Sequence, residues 1–244
     1  MPPKQRFTSV WSRQSAPKAT PVREQPALSR DHIVKAAVEL LDAEGLDALS
    51  MRRLGSRLGS GATSIYWHVS NKDQLLELAL DEVYSEVRLP DPDVTGWHDT
   101  AAAFAYGMRE AVLGHPWSVT LIGSMPSIGP NALKAISALS TAMQLGGFAG
   151  VTLEFAVSSI VSYTLGATTP EASWINTVGR SGADQSEWMA DMSAQLHIAG
   201  AEHPELIARY DSLHDLDVTQ MRRLSFDYGL SALLDGLALR LHQT

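Results

Sequence analysis

Residues 49–80 read LSMRRLGSRLGSGATSIYWHVSNKDQLLELAL, and the spacing of small, apolar and cationic residues in this stretch decides the fold. Ser50 supplies a helix cap. Met51 to about Leu58 then forms a short helix, with Leu54 and Leu58 four apart on one face and Arg52, Arg53 and Arg57 around the other. Gly59-Ser60-Gly61 breaks it, and a very short helix from about Ala62 to His68 follows. Ser70 or Asn71 caps a longer helix carrying Leu75, Leu76, Leu78, Ala79, Val83 and Val87, which Leu89-Pro90-Asp91-Pro92 stops. Two short helices joined by a Gly-containing turn of about three residues have the geometry that lets the second enter a DNA major groove.

Upstream, Ser29 caps a first amphipathic helix with Ile33, Ala36, Ala37, Leu40 and Leu41 at spacings of three and four, ended by Gly45. Downstream, helical periodicity recurs at roughly 97–114, 116–124, 130–146, 150–168, 184–201, 203–211 and 217–242, with no strand pattern between. Thr168 to Gly182 reads as a mobile loop. The expected fold is all-α. A three-helix helix-turn-helix domain spans 29–75, and a larger helical domain for ligand binding and dimerisation spans 76–244.

Charge is divided along the chain. Overall the net charge is −8, yet Met1 to Lys72 carries +5 and the remainder −13, so a basic end faces nucleic acid and an acidic body stays away from it. Residues 1–28 hold five prolines and five cationic side chains, which reads as a flexible basic arm: either an inert tail or a source of nonspecific phosphate contacts. With no cysteine there is no disulfide framework, thiolate zinc site or thiol nucleophile. The N-terminal stretch lacks the apolar core of a signal peptide, and no later stretch offers ~20 apolar residues free of polar breaks. A soluble, cytoplasmic protein with no membrane partner is expected. No nucleophile with a base, Gly-rich phosphate loop or ligand-spaced His/Asp/Glu cluster is found, so neither an enzyme nor a metal or cofactor site is expected.

The run Tyr66-Trp67-His68-Val69 followed by Asn71-Lys72 and an amphipathic helix resembles the DNA-binding domain of the tetracycline-repressor (TetR) family, over about Leu28 to Leu80. The DNA-facing set is Ser50, Arg52, Thr63, Ser64, Tyr66, Trp67, His68 and Lys72. The resemblance implies that Arg52 reads a base, Ser64 contacts phosphate or a base edge, Tyr66 and His68 bond the phosphate backbone, and Lys72 pairs with a phosphate. Trp67 is read first as packing that holds so short a helix in place. Arg53 and Arg57 are read as solvated charges. Gly61, Ala62 and Thr63 depart from the larger base-reading residues common in relatives, so no operator sequence carries over.

Fainter similarity continues in Trp97-His98-Asp99, Tyr163-Thr164-Leu165-Gly166 and Phe226-Asp227-Tyr228-Gly229-Leu230. It implies a homodimer joined by a four-helix interface from 150–168 and 217–242, with Phe155, Ile160, Leu230, Leu233, Leu234 and Leu237 at its centre, on palindromic double-stranded operator DNA. It also implies a ligand cavity, whose aromatic and thioether candidates are Phe104, Met108, Trp117, Leu121, Met143, Phe155, Tyr163 and Trp174. Each has ordinary core as its simpler reading. Around Val119 to Ile122 the chain has no histidine for a magnesium–tetracycline chelate, so an unknown, largely apolar small-molecule effector that releases a repressor is expected. Control by a protein partner without a small molecule is the alternative.

Overall fold

The computed structural model describes residues 9–12, 28–181, 185–213 and 217–241. Those residues form ten α-helices and no strand. The first four are α1 (Arg30–Glu44), α2 (Met51–Arg57), α3 (Ala62–Tyr66) and α4 (Lys72–Tyr84). Caps set their starts: Ser29 Oγ accepts from His32 N–H at 3.1 Å, Ser50 Oγ from Arg53 N–H at 3.2 Å, and Asn71 Oδ1 from Gln74 N–H at 2.8 Å. Ile33, Leu40 and Leu41 of α1, Leu54 of α2, Ile65 of α3 and Leu75 of α4 are completely buried together, which makes one small core out of helices too short to stand alone.

The larger body contains α5 (Pro92–Gly114), α6 (Pro130–Leu145), α7 (Gly150–Ser181), α8 (Gln185–Ala199), α9 (Pro204–Asp211) and α10 (Val218–Leu241). Helix α5 packs on α6 and α7, and α10 closes on α7. At Gly96 the backbone turns to φ 78°, so the helix proper resumes at Trp97, where the periodicity begins. The helix expected over 116–124 is instead a 3₁₀ turn, Pro116–Thr120, seated in the core by Trp117.

Three further expectations are corrected. The loop expected over Thr168 to Gly182 is helix as far as the described residues reach: α7 continues through Pro170 to Ser181. Pro170 removes one backbone donor, but it lies on the exposed face, where water can serve the freed carbonyl. The next residues, Glu171 and Ala172, are buried, and Glu171 pairs with Arg109 of α5, so tertiary contact carries the helix past the break. The helix through Val87 ends at Tyr84, and α3 ends at Tyr66 rather than His68.

The N-terminal arm mostly lies outside the described residues. Its described piece, Val10–Ser12, is a docked 3₁₀ turn: Ser9 Oγ and Val10 N–H donate to the buried Glu77 carboxylate of α4 at 2.9 and 2.8 Å. Residues 150–179 are long and apolar enough to cross a membrane by length and composition, although Glu154 and several Ser and Thr interrupt them; here they pack in the body as α7.

Candidate nucleic-acid interface

The turn between α2 and α3 is held by backbone contact. Ser60 N–H donates to Gly55 C=O at 2.8 Å, and a Cβ on Gly55 would lie 2.8 Å from Ser60 O and 3.1 Å from Ala62 N. Only glycine lets the helices approach this closely. On the inner side of α3, Ile65 and the following Val69 are buried four residues apart, and the N–H groups of His68 and Val69 both donate to Ile65 C=O at 2.9 Å. The outer side is therefore free: Thr63, Ser64, Tyr66 and His68 are exposed, with Tyr66 at 50%.

Trp67 overturns its reading as packing. It is 85% exposed, because Ile65 and Val69 already fill the inward positions of the turn. The indole stands in water beside exposed hydroxyl, phenol and imidazole groups.

The cations around this surface divide by their partners. Arg53 pairs with Glu44, and Arg57 donates to Glu39 at 3.1 Å, so both bind α2 to α1 in surface pairs worth ~0–1 kcal/mol. The Arg52 guanidinium is exposed and has no hydrogen-bond or ion-pair partner among the described residues. Lys72 Nζ donates to Leu46 C=O at 3.2 Å, which parks the ammonium beside the start of α4. Ser50 Oγ caps α2, and its hydroxyl has no acceptor among the described residues.

The candidate ligand-lining residues fall into separate groups. Phe104, Met108, Trp117, Leu121 and Met143 are buried in the core that α5, α6 and the 116–120 turn share. Tyr163 is half-buried and donates to Phe226 C=O at 2.7 Å; Tyr106, Tyr163 and Arg109 surround the Phe226 ring. Burial raises the Tyr163 phenol above its ordinary value of 10.0. Trp174 stacks edge-on with Trp188 at 4.1 Å. Phe155 stands apart from all of these at 65% exposure, on the wall of an open groove of about 640 Å³ between α7 and α10, together with Leu233 and Leu237.

The expected dimer residues divide in the same way. Ile160, Leu230 and Leu234 are buried in the chain's own core, beneath the α7–α10 face. Large apolar side chains that do stand outside include Val151, Phe155 and Ile175 on α7 and Val218, Leu224, Tyr228 and Leu239 on α10, with Tyr228 at 80%.

Contacts between the small domain and the body escaped the sequence reading. Asp81 of α4 caps α6 from outside: its carboxylate accepts from Asn131 N–H at 3.2 Å, Asn131 Nδ2 at 3.1 Å and Ala132 N–H at 3.0 Å. A signal existed, since α6 starts on Gly129, which has no side chain with which to cap it. Asp42, His115 and Trp117 make a second such contact, and neither spacing nor composition pointed to it.

A small helix-turn-helix unit presenting a polar, aromatic outer face, borne on a helical body, defines a DNA-binding regulator. Residues 33–79 match the family described as "Bacterial regulatory proteins, tetR family", and residues 89–241 match the "Tetracyclin repressor-like, C-terminal domain". The protein belongs to the TetR family of bacterial regulators. It is 37% identical over 202 residues to an HTH-type transcriptional regulator of Saccharopolyspora erythraea, covering 83% of this chain and 81% of that one. It is 30% identical over 237 residues to the HTH-type transcriptional repressor DrrR1 of Streptomyces coeruleorubidus, covering 96% and 85%. The solved structure of the TetR family protein ActR of Streptomyces coelicolor in complex with actinorhodin superposes with a TM-score of 0.71 at 28% identity, covering 87% and 96%.

Proposed function

We propose that this regulator is a homodimeric repressor that acts in the cytoplasm, binds a palindromic operator through α3 and its flanks, and is released by a largely apolar small molecule. The observation that carries the DNA-binding part is the outer face of α3 and of the turn after it, where Thr63, Ser64, Tyr66, Trp67 and His68 are all exposed, together with Arg52, whose guanidinium has no partner among the described residues. Hydroxyl, phenol and imidazole groups suit phosphate oxygens, and a free guanidinium suits the O6/N7 edge of guanine. Residues 29–75 are the reading head and 76–244 the effector and dimerisation body, with α4 continuous across the division. The exposed apolar face of α7 and α10 supports dimerisation, and two heads then address successive major grooves.

The effector reading is supported by the composition of the body. Phe104, Met108, Trp117, Leu121 and Met143 offer an apolar lining, and Tyr106, Arg109 and Tyr163 add a few polar groups at one side. ActR, of the same family, has been solved with actinorhodin bound. Differential affinity of such a ligand for two head spacings would drive release.

Thermal shift against a panel of apolar aromatic compounds tests this reading, followed by fluorescence anisotropy on a duplex obtained by in vitro selection. Saturation at ~100 times Kd contributes about 2.7 kcal/mol, which corresponds to about 5–10 °C in Tm for a chain of this size. A compound that gives this shift also lowers duplex affinity. If stabilising compounds leave DNA binding unchanged, release by a small molecule is refuted.

A further inference from the structure

The last turn of α1 is tied to the body by one carboxylate. Asp42 Oδ1 accepts from Trp117 Nε1 at 2.7 Å and from His115 Nδ1 at 2.7 Å, and the other ring nitrogen of His115 donates to Glu86 Oε1 at 3.1 Å in the segment after α4. Asp42 belongs to the reading head, whereas His115 and Trp117 belong to the junction between α5 and the 116–120 turn. The two ends differ in what holds them. Trp117 is fully buried in the body core, so its indole N–H cannot move unless the 116–120 turn moves. Helix α1 packs on both α2 and α4, so a displacement of its last turn is a displacement of the whole head.

We propose that Asp42, His115 and Trp117 form a strut through which the body sets the angle of the reading head. This deepens the switch described above, because Trp117 and Leu121 of the same segment are among the side chains a ligand would touch. The three act as positioning residues: none of them faces DNA, and they act through the placement of α1.

The charge state of His115 provides a handle on the strut. The groups facing the ring are the carboxylates of Asp42 from α1 and Glu86 from beyond α4, with the Trp117 indole edge-on at 6.1 Å. The hydrogen bond to Asp42, opposed by burial and reinforced by Glu86, raises the imidazole from 6.5 to about 9. A raised value means that the stabilisation is complete below about 6.5 and is lost as pH rises through about 9. Above that range a neutral ring has only one N–H, and one of the two carboxylates then faces a lone pair.

Because the chain has no cysteine, Lys35→Cys on α1 and Gln144→Cys on α6 give a doubly spin-labelled protein, diluted into unlabelled chain so that only the intramolecular distance is read. We expect one narrow head-to-body distance near neutrality that widens about twofold between about pH 7 and about pH 10. Asp42→Ala is expected to be as wide at neutral pH with its helical content retained, and His115→Gln is expected to lose the pH dependence. A parent-like narrow distance in Asp42→Ala, or a parent-like pH profile in His115→Gln, overturns the strut. Should Asp42→Ala fail to fold, the two pH profiles decide alone. The distance lies within one chain, so the result is independent of dimerisation and of DNA binding.

Discussion

Phe155→Asp is expected to convert the protein into folded monomers that bind a palindromic duplex at least ~100-fold more weakly, because both half-sites can no longer be held at once. Phe155 is 65% exposed on α7, beside an open groove toward α10, and contributes little to its own chain's core. In a twofold interface built from α7 and α10 it would be buried once from each subunit. Each burial removes an apolar side chain worth roughly 1.5–3 kcal/mol from water, and the substitution replaces that gain with two carboxylates needing desolvation. Neither effect reaches the monomer fold, so circular dichroism should be unchanged while light scattering reports half the mass. Leu234→Asp makes the contrast: with Leu234 only 1% exposed, it should unfold the body rather than split a dimer. A dimeric Phe155→Asp protein would move the interface elsewhere.

Arg52→Ala is expected to relax the preference at one base position in each half-site by ~1–3 kcal/mol, the range for a bidentate guanidinium on guanine. Three arginines lie on or beside α2, and the structure separates them. Arg53 and Arg57 are engaged by Glu44 and Glu39 of α1, whereas the exposed Arg52 guanidinium has no partner among the described residues. Arg53→Ala and Arg57→Ala should therefore change affinity little and discrimination not at all. Lys72→Ala provides the other comparison. Its ammonium rests on Leu46 C=O and would reach a phosphate as a point charge, so its loss should weaken all sequences alike and lower the salt slope by about 1 for each contact removed. Competition binding against a duplex series with every single base change checks all four variants. Arg52→Ala that weakens all duplexes equally would reassign it to the phosphate backbone.

The head was largely legible because its signals are local. Ser29, Ser50 and Asn71 cap the helices they were expected to cap, allowing for Ser70 as the other choice at α4, and Gly45 ends α1 as read. Trp67 departs from the expectation that the largest aromatic side chain packs inward. On a helix of five residues the inward positions are set by the turn, and Ile65 and Val69 occupy them. In the body, periodicity located the start of every described α-helix, but it lengthened the 116–120 turn into a helix, stopped α7 at Thr168, and does not say what each face meets. Leu230 and Leu234 of α10 recur at the same spacing whether they point at α7 of their own chain or at a partner, so sequence cannot separate core from interface. The extension of α7 beyond Pro170 rests on Glu171 reaching Arg109, 62 residues away, and the strut rests on Asp42 reaching His115 and Trp117, 73 and 75 residues away. Contacts of that separation leave no local pattern.

On the proposed function, α3 and its flanks read DNA as a symmetric pair. In vitro selection from a random duplex pool with the full chain tests it most directly. Two inverted half-sites centred about one helical turn, or a multiple of it, apart are expected, with enrichment lost on Arg52→Ala at one position of each half-site. Enrichment of no sequence, or of a single unpaired half-site, would rule out symmetric reading by two heads.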